Sequence, residues 1–248
     1  TGRYNWSMNV VAHYSGSDIA TRLYSGSVEI VNLNASNFGD NWTVTQLDRL
    51  VLQSGGALLA RGDGTTAWFT SSGGSFSSPL GPFATTTLTQ LGDGTYRLTD
   101  KFGNKANFST TGLLTSRVDR NSNTTSFAYI DADGDGIAKE LSSITDPFGR
   151  VTAFAYAGGL LASVTDHAGR VTTVTKDGQG RVTAITAPDP DGAGPLTAPV
   201  TAYSYSGTTR RLAGVTDPLG HATSVVYDFA GRVSQITDAA SSTNSFTV

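Results

Sequence analysis

The chain has 248 residues, a net charge of −3 and a pI near 5.5, which leaves no basic field for nucleic acid or an anionic lipid surface, so neither partner is expected. Charged residues make up only 15% and glycine numbers 29, excluding a helical bundle and a charged disordered tail. The absence of cysteine excludes a disulfide framework, a thiol nucleophile and a thiolate metal site, and no apolar run is long enough to span a bilayer, so no membrane insertion is expected.

The acidic residues are aspartate except for Glu29 and Glu140, and the only lysines are Lys101, Lys105, Lys139 and Lys176. Helix formers give way to Thr, Val, Tyr, Asp and Gly, which is strand-and-turn usage, and the fold class is all-β. The sequence starts without Met inside a strand pattern and reads as a fragment of a larger protein.

In chain order, Tyr4, Trp6, Met8, Val10, Ala12 and Tyr14 alternate with Asn5, Ser7, Asn9, Val11 and His13, the period of a long half-buried strand. Ser15-Gly16-Ser17-Asp18 turns the chain, and Thr21 to Leu33 returns as strand with Val28 and Ile30 in phase. Two strands cannot bury an aromatic stripe alone, so residues 1–36 are read as terminal strands of a β-sandwich-like domain. His13 falls on the polar face as a surface histidine.

Residues 37–96 form an opening segment of β-hairpins, with turns at Ser54-Gly55-Gly56, Gly62-Asp63-Gly64, Ser72-Gly73-Gly74 and Gly92-Asp93-Gly94 between short apolar runs. Arg61-Gly62-Asp63 matches the integrin-binding tripeptide, but Asp63-Gly64 also supplies the hairpin turn needed there.

Residues 97–248 repeat. Leu98-Thr99-Asp100, Arg117-Val118-Asp119, Ile144-Thr145-Asp146, Val164-Thr165-Asp166, Ile185-Thr186-Ala187, Val215-Thr216-Asp217 and Ile236-Thr237-Asp238 occupy one slot. Its spacing is 19 residues from Asp100 to Asp119, 20 from Asp146 to Asp166 and 21 from Asp217 to Asp238. Each slot leads into a turn such as Pro147-Phe148-Gly149-Arg150. An alternating strand, a second turn such as Asp177-Gly178-Gln179-Gly180 and a return strand follow, making hairpins of about twenty residues.

Tyr227-Asp228-x-x-Gly231-Arg232, with the Asp-Pro-x-Gly turns at Asp146 and Asp217, resembles the RHS or YD-repeat proteins. Tyr203 to Gly207 is a degenerate version, and Tyr156 to Gly159 lacks the Asp. Upstream, Phe38-Gly39-Asp40-Asn41-Trp42 and Leu47-Asp48-Arg49-Leu50 are similar to the segment that opens such repeats, with Asn41 where a Gly is usual. The resemblance implies that longer relatives wind the strip into a hollow shell enclosing a toxin or, in animal adhesion receptors, build part of an extracellular scaffold. Some such proteins carry a self-cleaving Asp-Pro-x-Gly-Leu element. Asp217-Pro218-Leu219-Gly220 is similar, but His221 takes the Leu place and another repeat follows, so it reads as an ordinary turn.

The repeated Asp residues fit a turn role: Asp at the first position accepts a backbone N–H two residues on, Pro presets φ and Gly takes the positive-φ position. Arg150, Arg170, Arg181 and Arg232, each after a Gly, are expected to stack on aromatics or to pair with a turn Asp. No nucleophile–base pair can be placed, so no catalytic residue is assigned.

One constellation points to a ligand. In Asp131-Ala132-Asp133-Gly134-Asp135-Gly136-Ile137 three carboxylates at alternate positions could converge on Ca²⁺, the Ile137 carbonyl could add an oxygen, and Glu140 is the nearest further acid. The twelfth position is Ser142 rather than a bidentate acid, and the other reading is a solvated Asp/Gly turn. Asp189-Pro190-Asp191-Gly192 is too restricted by proline to converge and stays a loop. Trp6, Trp42 and Trp68 could form a sugar-stacking platform but read as buried anchors.

The expectation is a curved, continuous antiparallel sheet of hairpin repeats with exposed edges. It would be a structural, noncatalytic part of a large secreted or cell-surface bacterial protein, whose partners are other segments of that protein or identical copies. The alternatives are an adhesin-like module reading glycan or protein, and a glycosidase using paired carboxylates.

Overall fold

A computed structural model describes residues 1–14 and 17–246; Ser15 and Gly16 of the first turn lie outside the described residues, as does the end of the last repeat. Every described element is β, and no helix occurs among the described residues. By contacts the chain divides into two compact units, Thr1–Asn32 with Val44–Ser126, and Leu33–Thr43 with Phe127–Val248.

In the first unit β1 (Gly2–Tyr14) pairs antiparallel with β2 (Ser17–Ile30), from Gly2↔Ile30 to Tyr14↔Ser17. These two strands form a sheet of their own. Their apolar face is not covered: Tyr4, Trp6, Met8 and Val10 are 45 to 53% exposed, more open than the half-buried strand expected, because no second sheet faces them among the described residues. A meander follows of β3 (Arg49–Gln53), β4 (Gly56–Ala60), β5 (Thr66–Ser72) and β6 (Ser75–Ser77). The unbroken run Ala57-Leu58-Leu59-Ala60 is central in this sheet and buried along its length, as an apolar run without alternation requires. Leu50, Leu58, Leu59, Phe69, Phe108 and Leu114 are fully buried and form the core. The Leu50 N–H bonds the Gly112 carbonyl at 2.9 Å, tying β3 to a repeat hairpin.

The remaining strands form one 15-stranded sheet, from Thr87–Gln90 to Thr243–Ser245, in which every strand neighbours its predecessor in sequence. It begins about ten residues before the slot pattern becomes readable in the sequence. Strict sequence order follows from short turns, which allow only antiparallel neighbours. Alternation buries Phe127 and Phe154 at the centres of their strands, and return strands bury Leu114, Leu141, Leu161 and Val182 near their starts.

Candidate functional site

The repeated aspartates build the same turn again and again. In Asp146-Pro147-Phe148-Gly149-Arg150 the Asp146 N–H bonds the Arg150 carbonyl at 3.0 Å and the Gly149 N–H bonds the Asp146 carbonyl at 3.0 Å. Oδ1 of Asp146 accepts the N–H groups of Phe148 and Arg150 at 2.9 Å each, and Oδ2 accepts Arg150 Nε at 2.6 Å. Gly149 takes φ 80°, the left-handed position that follows a type I turn in a bulged hairpin loop. Asp166 with Arg170, Asp177 with Arg181 and Asp228 with Arg232 repeat this clamp. Asn104 and Asn123 replace Arg opposite Asp100 and Asp119, and His221 does so opposite Asp217. All four arginines pair with a turn Asp, and two also stack on an aromatic: Arg150 lies 5.4 Å from the Phe148 ring centroid and Arg181 lies 4.9 Å from that of Tyr205.

These bonds set the electrostatics. The Arg170 side chain holds Asp166 below the usual carboxylate range, the His221 ring does the same for Asp217, and the Arg232 N–H for Asp228.

The tyrosine of the Tyr-Asp signature has a task that the sequence does not announce. Register shifts fall immediately before Tyr156, Lys176, Tyr205 and Tyr227. The extra residue of each bulge lies in the facing return strand (Ala162, Ala213 and Ser234 in the tyrosine hairpins), and at that point each tyrosine reaches to the strand on its other side: Tyr156 Oη donates to the Leu141 carbonyl at 2.9 Å, Tyr205 to Val182 at 2.8 Å and Tyr227 to Leu212 at 3.0 Å. Lys176 occupies the same place before Asp177, and its ammonium donates to the Leu161 carbonyl. The repeat is therefore a ladder of clamped turns braced by struts between neighbouring strands.

The acidic loop joins strands Thr124–Ile130 and Glu140–Thr145. Asp131, Asp133 and Glu140 each place a carboxylate oxygen within 4.8 Å of the others. Asp135 stands outside that triad, and Ile137 directs its N–H to Asp135 Oδ1 at 2.9 Å while its side chain is exposed. The charges are partly offset, by one lysine and by backbone N–H groups. Asp131 accepts the N–H groups of Gly134 at 2.7 Å and Gly136 at 2.8 Å, and Lys139 Nζ bonds Asp133 at 2.8 Å and also Asp135. The bond from Asp133 raises the Lys139 pKa and the same bond lowers that of Asp133. The donor set of hard oxygens suits Ca²⁺, and a cation bound by the triad would displace the lysine. Sequence reasoning passed over Lys139, although a lone Lys four residues after Asp135 is a readable counter-charge.

Glu140 is the buried member, 1% exposed, with one partner from its own loop and one from far away in the chain. Asn37 Nδ2 donates to Oε1 at 2.6 Å, and the Ala132 N–H donates to Oε2 at 3.0 Å. Asn37 belongs to a strap, the segment Leu33–Thr43, which is part of the second unit. The Leu161 N–H bonds the Asn37 carbonyl at 2.7 Å, the Asp40 N–H bonds the Gly180 carbonyl at 2.9 Å, Trp42 meets Tyr203 edge-on at 5.2 Å, and Asp40 pairs with Arg210. Gly39, at φ 123°, allows this approach, since a Cβ there would come within 2.5 Å of Val182 Cγ2. The strap thus touches successive hairpins in turn.

The other sequence candidates are absorbed locally. Arg61 Nη1 bonds Asp63 at 3.1 Å and Asp63 also accepts Thr65 Oγ1 at 2.7 Å, so the charged ends of the Arg-Gly-Asp triplet face each other inside a turn. Asp48 is buried, bonded to Arg117 Nη2 at 2.6 Å; burial pushes its carboxyl up against the pull of that guanidinium. Trp68 is capped by the Arg3 guanidinium, 5.2 Å from the ring centroid, whereas Trp6 is 47% exposed and is no buried anchor. A groove of about 740 Å³ in the first unit is lined by Arg3, Glu29, Arg61, Trp68 and Phe83 among others.

The fold and its clamped turns define a tandem β-hairpin repeat protein. Within it, residues 157–193 match the model of the family described as RHS Repeat. Among solved structures, this chain is similar to the crystal structures of TcdB2-TccC3-TEV (13% identity, TM-score 0.26, 74% of this chain and 12% of that one) and of TcdB2-TccC3-Cdc42 (15%, 0.25, 90% and 12%). It is also similar to TcdB2-TccC3 without its hypervariable C-terminal region (16% identity, TM-score 0.23, 74% and 10%). The chain spans 10 to 12% of the length of these chains. No curated protein matches.

Proposed function

We propose that this chain is a structural, noncatalytic scaffold, part of a large secreted or cell-surface protein. The observation that carries this reading is that the repeat spends its chemistry on itself: the clamp aspartates, their arginines and the strut tyrosines are bonded to their own turn or an adjoining strand. The RHS repeat at 157–193 supports it as well. A second reading, a glycan-binding module, is favoured by the groove with its Trp68 and Phe83 walls and polar rim. A glycan array with the intact chain, run beside a panel of chromogenic glycosides, separates the readings. The scaffold gives neither saturable binding nor turnover; glycan binding that Trp68→Ala abolishes would replace it with the adhesin, and turnover with an enzyme.

The acidic loop belongs to the scaffold as a stiffened insert whose cation is Ca²⁺, held by Asp131, Asp133 and Glu140, with weak affinity of roughly 10⁻⁴ to 10⁻³ M as in extracellular modules. Melting in millimolar Ca²⁺ against chelator is expected to raise Tm, and to raise it further in Lys139→Met, which removes the competing ammonium. No shift in either protein would leave the loop as an ion-paired turn.

A further inference from the structure

The β1–β2 ribbon carries its aromatic side chains and most of its aliphatic ones on one face, with Val11 and Leu23 on the other. Cross-strand pairing sets Tyr4 opposite Val28, Met8 opposite Tyr24 and Gly2 opposite Ile30, while Trp6 lies over Gly26. Tyr4, Trp6, Met8, Val10, Tyr24, Val28 and Ile30 are 43 to 53% exposed. The other face presents Asn5, Ser7, Asn9 and Ser25. From Tyr4 to Val10 the exposed stripe is about 20 Å long at the rise of a strand, the Gly2 end being buried against the Gln53 side chain. A two-stranded ribbon with an uncovered apolar face and two free edges is marginal in water.

We propose that this face is an interface and that its occupant is the same face of a second copy. Three features point to a copy rather than to an unlike partner. The stripe is uncharged apart from Arg22, whose guanidinium lies 5.5 Å from the ring centroid of its own Tyr24, so no complementary charge is demanded. It is apolar from Tyr4 to Met8 and from Tyr24 to Val28, so a two-fold axis through its middle matches apolar with apolar there, with residue i meeting j and j meeting i. Half-exposed aromatics of about 150–250 Å² and their aliphatic neighbours leave about 600 Å² to cover per copy. The pair then reaches about 1,200 Å², the lower bound of a specific interface. The reverse face sets only Val11 and Leu23 as exposed apolar side chains among Asn5, Ser7, Asn9 and Ser25, so it has no continuous apolar stripe along which the assembly could propagate.

Sedimentation equilibrium of the intact chain, from low micromolar to several hundred micromolar, tests the proposal. The expected result is a reversible shift from 25.8 kDa to twice that mass. Tyr4→Ser with Trp6→Ser and Met8→Ser should hold the mass at one chain, with the main melting transition retained; the milder Met8→Lys alone should weaken association at least about tenfold. Leu23→Ser, on the reverse face, should dimerise like the parent chain. A parent chain that stays monomeric throughout, growth beyond two copies, or equal association in the triple and Met8→Lys variants would overturn it.

Discussion

At the residue scale the aspartate clamp makes the fold sensitive to acid. Asp166, Asp217 and Asp228 have native pKa values held below the unfolded value near 3.8 by side-chain and backbone donors. A carboxyl lowered in this way contributes stability that is fully present above the unfolded value and lost as pH falls through the native one. Tm should therefore be flat near neutrality and fall below about pH 4, with one contribution per clamp. Asp166→Ala should lower Tm at pH 7 and make the acid slope shallower, because one titrating clamp is gone. Differential scanning calorimetry from pH 7 to pH 2 reads both; an unchanged slope would deny the clamp its role.

At the scale of the element, the strut residue and the bulge in the return strand facing it recur together. Lys176 performs the strut's task with a charge that burial disfavours, lowering its pKa, whereas Tyr156, Tyr205 and Tyr227 do so with a neutral hydroxyl. Lys176→Tyr should keep the bond to Leu161, relieve the desolvation and raise Tm in thermal melts, while Tyr227→Phe should cost about 1 kcal/mol. The strap behaves differently because its partner is buried. Asn37→Ala removes the amide donor from Glu140 and should cost about 1–3 kcal/mol, but Asn37→Ala combined with Glu140→Leu should cost less than the two changes summed. Additive chemical-denaturation energies would show that the pair is uncoupled.

These elements differ in how far they can be read from sequence. Hairpins and turns are written locally: the Asp, the Gly and the partner four residues on lie within one turn, and period two marks each strand. The strap is marked in the sequence by Phe38 to Trp42, but its bond to Glu140 is not readable, because Asn37 and Glu140 are separated by 103 residues. The strut lies between, visible as a recurring Tyr but intelligible only once the register shift shows where the ring is aimed. The acidic loop was legible as a cluster of three aspartates. That Asp131 and Asp133 join Glu140 while Asp135 turns to Lys139 depends on the fold of the loop.

At the scale of the whole molecule, the sheet follows sequence order over fifteen strands, so each hairpin of the ladder pairs only with its sequence neighbours. A ladder of this kind has stability that is a sum of repeat terms and nearest-neighbour terms, and damage to one turn should spread only to adjoining strands. Amide hydrogen exchange compared between the parent chain and Asp166→Ala measures this directly. The expected result is loss of protection greatest in strands Leu160–Thr165 and Val171–Lys176, decaying through the next hairpins and negligible at Thr87–Gln90. Unaltered exchange around residue 166, or an equal loss of protection in every strand, would contradict a scaffold built from clamped, serially coupled hairpins.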